Sequence, residues 1–398
     1  MPIRYTLEDI AFLTSAMYAR FRDEYLVQTE KYSDPLRIQT HLRAAFPELL
    51  PSRIAVAMEQ LELHSRGMEK CAFPHDSLYS RQGLEMASSL LTARVHAKLL
   101  PSGGRLMDCC AGIGSDAVRL AEAAETVCIE ADEVTARICR HNLLQCNSHA
   151  MLLRGKLEHW LPLLKLSAFD AVYADPSRRD TIRRYISAED YSPPLSLFAA
   201  LHDLPLLIKI APAAKIDDRQ WGRAWVAAGR ECKEQLLHRG LDLAALCVIH
   251  AESGTYWIPG TCEARRVSDP NWLIEPHPAV VCSGMTASYL REHGAEAIDP
   301  MIAYGLADER PVNAPLHQNF RLLRIEAFNR KRLRRSVLEL DFGPGTEIKK
   351  RGFPETPEQV RRQLHFRGER NGVILLTRKG DGHVMIFAER VQDEHASS

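Results

Sequence analysis

Hydrophobic positions change their period twice along the chain. Over residues 1–75 they recur at helical spacing: Leu7, Ile10, Ala11 and Leu13 first, then Ile54, Met58, Leu61 and Leu63. Pro35, Pro47, Pro51 and Pro74 punctuate this stretch, which predicts a small N-terminal helical domain. From about residue 78 short apolar runs alternate with helical stretches. A helix over 82–100 leads into a strand at 105–110, and further strands are predicted at 126–130, 151–153, 169–174 and 204–210. Segments 243–250 and 255–258 are the candidate sixth and seventh. Strands alternating with helices predict an α/β fold, a Rossmann-like sheet of seven strands over 76–273, parallel except for an antiparallel edge supplied by the final hairpin. Segment 274–322 is rich in Pro and Gly. Segment 323–392 reads as a small α+β module: a strand at 324–328, a helix at 357–364, and strands at 372–377 and 383–388 joined by a turn at Lys379-Gly380-Asp381-Gly382.

Composition narrows the class. A chain of 398 residues, 45% hydrophobic and 26% charged, is globular and long enough for two to four domains. Its 51 Lys and Arg balance its 51 Asp and Glu. The average hides an asymmetry: residues 321–390 carry 17 basic against 9 acidic side chains, and the rest of the chain holds the matching deficit. The C-terminal module is therefore the part suited to a polyanion, the bland alternative being a solvated basic face. Ten cysteines without a C-x-x-C pair fit reduced thiols in a cytoplasmic protein better than disulfides or a metal site. No signal peptide and no apolar run of membrane-spanning length is read, so neither a membrane nor a metal is expected as a partner.

Sheets of this kind bind ligands at the carboxyl ends of their strands. There the chain reads Asp108-Cys109-Cys110-Ala111-Gly112-Ile113-Gly114, a strand turning into a helix. Gly112 and Gly114 admit a ligand close to the backbone. No third glycine is placed to receive a pyrophosphate, and Asp108 would repel one; a cationic amino-acid moiety suits it instead. Glu130, closing the second strand, can accept both hydrogen bonds of a ribose diol. The bland alternative makes the glycines a tight turn and the two acids a cap and a solvated strand end.

These residues resemble the class I S-adenosylmethionine-dependent methyltransferases, over about 78–260. The resemblance implies S-adenosyl-L-methionine as cofactor. Asp108, Ala111, Gly112 and Gly114 would cradle its methionine part and Glu130 its ribose. After the third strand, where the family often places an acid for the adenine amino group, this chain has Gly155-Lys156-Leu157, so Gly155 and Leu157 are the candidate adenine contacts.

Asp175-Pro176-Ser177-Arg178 ends the fourth strand. It resembles the Asp/Asn-Pro-Pro-aromatic motif of nucleic-acid amino-methyltransferases in its first two residues. The Asp175 carboxylate and the Pro176 carbonyl can hold an exocyclic NH₂ toward a sulfonium methyl. Arg178 stands in the aromatic position, where its planar guanidinium can stack on a base in place of a ring; Tyr173, Tyr185 and Tyr191 are other candidates. A uracil-C5 mechanism requires a cysteine nucleophile near the fifth strand. The nearest, Cys232, is predicted in a helix, which disfavours carbon methylation. Arg179, Arg183 and Arg184 crowd the motif as candidate phosphate contacts, with a surface ion-pair network as the alternative.

Residues 323–392 resemble the THUMP-like domain that follows some bacterial methyltransferases, an arrangement that also implies a ferredoxin-like adaptor over 274–322. By analogy with THUMP domains it implies structured RNA, tRNA or rRNA, as partner. Arg332, Arg334, Arg335, Lys349, Lys350 and Arg351 are the candidate nucleic-acid contacts. The expected function is methyl transfer to a base amino nitrogen. The competing expectations are a small-molecule or protein methyltransferase, and a non-catalytic RNA-binding protein with a vestigial cofactor fold.

Overall fold

The computed structural model describes residues 3–178, 190–199, 201–216, 220–263 and 266–391. The chain forms two compact units, Met1–Arg223 with Gln235–Ala245, and Ala224–Glu234 with Leu246–Ser398.

In the first unit four helices come first: α1 (Leu7–Leu13), α2 (Ala16–Lys31), α3 (Pro35–Ala45) and α4 (Pro51–Cys71). Their starts follow from local chemistry. Thr6 and Asp9 form a reciprocal capping box on α1, and the Ser15 and Asp34 side chains accept from the Tyr18 and Leu36 amides. Pro35 and Pro51 occupy first-turn positions where no amide hydrogen is needed. The expected boundary at residue 75 is not a break in packing. Phe21, Leu42, Ile54 and Leu63 share one hydrophobic cluster with Ala117, Val118, Cys128 and Ile138 of the following α/β region. These helices cover one face of the sheet.

The helix predicted over 82–100 is two helices, α5 (Arg81–Met86) and α6 (Leu90–Leu99). Ser89 ends the first option and starts the second, its hydroxyl accepting from the Thr92 amide as the cap of α6. Then follow β1 (Arg105–Asp108), α7 (Ser115–Ala123), β2 (Glu125–Glu130), α8 (Glu133–Gln145), β3 (Met151–Arg154), α9 (Leu157–Trp160), β4 (Ala171–Ala174), β5 (Ser177–Arg178), β6 (Tyr191–Ser192), α10 (Leu195–Ala199) and β7 (Leu206–Ile210). β3, β2, β1, β4 and β7 lie side by side, all parallel, and β9 (Glu231–Arg239) runs antiparallel beside β7.

With β8 (Gly222–Ala228) beside β9, and β10 (Leu246–His250) and β11 (Thr255–Trp257) beyond it, the Rossmann-like methyltransferase sheet has nine strands, in the order β11-β10-β8-β9-β7-β4-β1-β2-β3. β8 and β9 are not among the expected strands. Glu231-Cys232-Lys233-Glu234 put charge at the tip of β9 and hid its strand pattern, and Cys232 lies on a strand, not on a helix. The 243–250 and 255–258 segments are strands of this sheet as expected, an antiparallel pair at its edge, β10 with β11.

The second unit continues with β12 (Trp272–Pro276), α11 (Pro278–Cys282), α12 (Thr286–Glu292), β13 (Glu296–Asp299), β14 (Ile302–Ala307), β15 (His317–Ala327), α13 (Arg330–Glu339), β16 (Glu347–Arg351), α14 (Pro357–Arg361), β17 (Val373–Lys379) and β18 (Gly382–Arg390). One sheet holds them in the order β13-β14-β12-β15-β18-β17-β16. The expected adaptor at 274–322 and module at 323–392 are therefore not separate. β12 pairs with β15 over five residues, and β15 itself crosses the expected boundary. Leu333 and Val337 of α13 cover one face of this sheet with Phe342, Ile374 and Phe387, while Leu273, Tyr304, Phe320 and Ile386 pack on the other.

Candidate active site

The register places the acids. Asp108 ends β1 opposite Cys128 of β2 and Tyr173 of β4. Glu130 and Asp175 each lie two residues beyond those partners. Side chains two apart on a strand share a face, so Asp108, Glu130 and Asp175 leave three neighbouring strand ends on one side of the sheet.

Asp108 is completely buried. One carboxylate oxygen accepts from the Cys110 amide at 3.1 Å, and the other, Oδ2, is buried with no hydrogen-bond partner. Burial pushes this carboxyl well above the usual range, and the nearby charges of Asp116, Asp175 and Glu130 push the same way against the Cys110 amide. An orphaned buried carboxyl oxygen is costly, and a cation beside it removes the cost.

The loop over Asp108 is shaped by its glycines. Gly112 and Gly114 have φ of 55° and 96°, left-handed values that a side chain disfavours. A Cβ on Gly112 would meet no atom within 4 Å, so open space lies above it. Glu130 holds the loop, accepting from the Gly112 amide at 2.9 Å and the Asp132 amide at 2.8 Å. Its own pKa is raised, burial outweighing those two amides. Asn142, fully buried on α8, accepts from the Leu78 amide at 2.8 Å and donates to the carbonyls of Leu78 at 3.0 Å and Ile113 at 2.9 Å. The glycine loop is thus tied to the segment that follows α4.

Ala111 and Leu157 are buried, Ala111 donating its amide to the Ile129 carbonyl and Leu157 opening α9. Gly155 lies under Trp160: a Cβ would stand 2.9 Å from the indole nitrogen, which donates to the Arg154 carbonyl at 3.2 Å. At this strand end glycine is explained by the indole. Trp160 had no signature in the sequence.

The residues present fit S-adenosylmethionine: an unpartnered buried carboxyl oxygen for a cation, open space over a glycine, and a second acid on the next strand. Asp108 and the 111–114 loop would hold the amino-acid moiety, and Glu130 the ribose.

On the acceptor side, Lys209 of β7 donates to Asp175 Oδ2 at 2.7 Å and to the Ser88 hydroxyl at 3.1 Å. Beneath them His96 Nδ1 meets Asp116 Oδ1 at 2.7 Å, and the Tyr173 hydroxyl lies 3.1 Å from the same nitrogen. Burial raises the Asp116 pKa, but the charge and hydrogen bond of His96, with Lys209 and Ser88, outweigh it and leave Asp116 below its usual value. Sequence reasoning missed Ser88, His96 and Asp116 as site residues; the paired serines that break the helix at 87–89 were the available signal.

Two of the aromatic substitutes expected for the base-stacking position are buried in other contacts. Tyr173 is buried against His96, and Tyr191 is buried with its hydroxyl accepting from the Ala211 amide at 3.2 Å. The backbone of Arg178 pairs with Tyr191, and Ser177 with Ser192. Tyr185, Arg179, Arg183 and Arg184 lie outside the described residues. Hydrogen bonding with Cys282, then burial, pushes the Cys232 thiol pKa up.

The C-terminal basic residues divide. Lys349 and Arg351 of β16 are turned onto Glu275 of β12, and Arg351 also donates to the Ala303 carbonyl at 2.8 Å. These two strands stand four places apart, ~19 Å in a flat sheet, so the sheet must curl strongly for the pairs to form. Lys350 donates to the Phe353 carbonyl at 3.2 Å, and Arg334 to the Gln363 carbonyl at 3.1 Å. These contacts correct the expectation that Lys349 and Arg351 face a nucleic acid. Arg335 pairs with Glu339 yet remains largely exposed, and Lys331 and Arg332 are exposed with no ionic partner among the described residues.

Fold and site together define a class I S-adenosylmethionine-dependent methyltransferase. Residues 317–390 match the THUMP domain-like family. An uncharacterized S-adenosylmethionine-dependent methyltransferase of Mycobacterium tuberculosis is 30% identical over 332 residues, covering 79% of this chain and 88% of the relative. The chain belongs to that family of S-adenosylmethionine-dependent methyltransferases. The crystal structure of a candidate methyltransferase from Porphyromonas gingivalis W83 shares the fold throughout, with a TM-score of 0.75 at 21% identity over 98% of this chain and all of that one.

Proposed function

We propose that the enzyme methylates an exocyclic amino nitrogen of a base in structured RNA, tRNA or rRNA. The observation that carries this reading is the Asp175 corner, a carboxylate followed by the Pro176 carbonyl at the end of β4, on the sheet face that also bears Asp108 and Glu130. The cofactor, when bound, supplies a methyl group on a sulfonium that any well-aimed nitrogen lone pair can attack.

The residues of this chain do the aiming. Asp175 and the Pro176 carbonyl each accept one N–H of the amine, which turns the lone pair toward the cofactor side and stabilises positive charge as the nitrogen acquires its fourth bond. Lys209 fixes the Asp175 carboxylate in place through Oδ2 and is itself steadied by Ser88. The proton lost from nitrogen passes to Asp175 or to solvent. RNA as the acceptor is supported by the THUMP domain-like match and by the exposed Lys331 and Arg332 on α13.

The test is transfer of labelled methyl from S-adenosylmethionine into RNA from a strain lacking the gene, followed by nucleoside analysis. Label is expected in an N-methylated base. Asp175→Ala is expected to slow transfer ~10³-fold while cofactor affinity stays within about twofold. Label in a C-methylated base, or an Asp175→Ala enzyme as fast as wild type, overturns the assignment.

A further inference from the structure

A second cavity, of about 410 Å³, lies in the first unit among α2, α4, α8 and the 75–78 segment. Its volume is that of a small-ligand site. Its lining is unusual in chemistry: Arg22 of α2, His64 of α4, His75 of the connecting segment and His141 of α8 converge on it, with Tyr18 and Ser77.

The wiring of these groups leaves hydrogen-bonding capacity unused. His64 Nε2 contacts the His75 carbonyl, and His141 Nε2 contacts the Asp76 carbonyl at 2.7 Å, so both rings carry their proton on that nitrogen. The second ring nitrogens of His64 and His141 have no partner among the described residues. Ser77 is almost wholly buried, and its hydroxyl is likewise unpartnered. The one fixed anion of the lining, Asp76, is paired with Arg22. Thr14, Ser15 and Ala16 bring the start of the 16-residue helix α2 to the same cavity, and its first turn holds no acidic side chain. Arg22 is shared between Asp76 and, at 3.6 Å, Asp23, and His75 Nδ1 meets Asp76 at 3.4 Å. The capacity left to a ligand is in the second nitrogens of His64 and His141, acceptors while the rings are neutral, the Ser77 hydroxyl and the start of α2.

We propose that this cavity binds a phosphate-bearing ligand of nucleotide size, held by His64, His141, the Ser77 hydroxyl and the start of α2, with the Arg22–Asp76 pair at its side. The site is distinct from the methyl-acceptor corner and does not depend on its assignment. The His64 ring becomes a donor through its second nitrogen only by taking up a proton, so binding couples to proton uptake and strengthens as pH falls. The groups facing the cavity's imidazoles are Tyr18, Arg22 and Tyr25 from α2 and Asp76 from the connecting segment. In the empty site burial holds the His64 pKa below its usual value, against the His75 carbonyl, so its uptake is left to the ligand. The 410 Å³ cavity exceeds what a phosphate alone fills, and Tyr18, Tyr25 and His64 line part of the remainder.

Calorimetric titration of the full chain with uridine 5′-monophosphate tests this, the cofactor site being saturated beforehand with S-adenosylhomocysteine. Binding is expected about tenfold tighter at pH 6 than at pH 8, with uridine silent. His64→Ala and His141→Ala should each weaken it at least fivefold and leave S-adenosylhomocysteine affinity unchanged. A six-nucleotide single-stranded RNA separates the two sources of the phosphate: competition assigns it to a polynucleotide, and lack of competition to a free nucleotide. No heat with uridine 5′-monophosphate, equal binding of uridine, or wild-type affinity in both variants overturns the proposal. Failure here leaves methyl transfer at Asp175 intact and so separates the two readings.

Discussion

Two clusters of charge stand out in this molecule, and they have opposite fates. At the cofactor corner Asp108 is buried with one oxygen unsatisfied, and Glu130, with one amide on each oxygen, keeps further lone pairs for a ligand. In the C-terminal sheet the basic run Lys349-Lys350-Arg351 is consumed internally, two of its members by Glu275 and the third by a backbone carbonyl. Both clusters look like ligand sites in the sequence. What distinguishes them is whether the fold supplies partners, because a charge already satisfied has little left to offer a ligand, while an unsatisfied buried one destabilises the protein until something arrives.

The contrast is open to breakage on either side. The largest expected effect is on the satisfied side. Glu275→Leu leaves Lys349 and Arg351 without their shared counter-charge in a half-enclosed place, and should lower the stability of the second unit by ~3 kcal/mol in urea titration. A loss under about 1 kcal/mol would mean the pairs are incidental and the two cations available to a partner.

Next comes the unsatisfied side. Asp108→Ala should weaken S-adenosylmethionine binding by about a hundredfold, ~2.7 kcal/mol. The pH dependence has a definite sign. A carboxyl raised by burial stays protonated in the folded empty pocket at pH values where the unfolded chain has released its proton. The stability it contributes is therefore present at low pH and lost as pH rises from the ordinary carboxyl range toward the raised value. A cation seated beside Asp108 favours the carboxylate, so binding expels a proton and tightens over that same rise. Calorimetry in two buffers of different ionisation enthalpy should register the released proton in wild type and not in Asp108→Asn. Identical proton counts in the two would sink the pairing.

The smallest effect sharpens the comparison within the C-terminal module. Lys331→Ala and Arg332→Ala should change stability by no more than ~0.5 kcal/mol, since neither side chain has an ionic partner among the described residues. Each should flatten the salt dependence of RNA binding by ~0.9 in log–log slope if it meets a phosphate. Unchanged slopes in both variants would remove α13 from the RNA surface.

The sequence made the cofactor half readable because its residues are contiguous: an acid, two glycines and a second acid at fixed steps along a strand, a turn and the next strand. Asp108 and Glu130 were identified on that basis, and the register sets them on one face of the sheet. The acceptor side was less readable. Lys209 reaches Asp175 across a strand pair, and Ser88 arrives from a break between two helices, contacts that span 34 and 121 residues of chain. The missing strands β8 and β9 failed for another reason. A hairpin with a charged tip breaks the apolar alternation by which strands are recognised. Glu275 could not be paired with Lys349 from sequence either, since the curl of a sheet is a property of many strands at once.

Asn142 joins with a single side chain two segments that the chain separates widely. One face of its amide reads the backbone at Leu78, just after the N-terminal helices, and the same nitrogen also braces Ile113 above the cofactor floor. The geometry of the nucleoside pocket is in this way moulded by a part of the protein that contributes no atom to it. The helical region and the catalytic sheet region share one core, and removing either would strip packing and hydrogen bonds from the other.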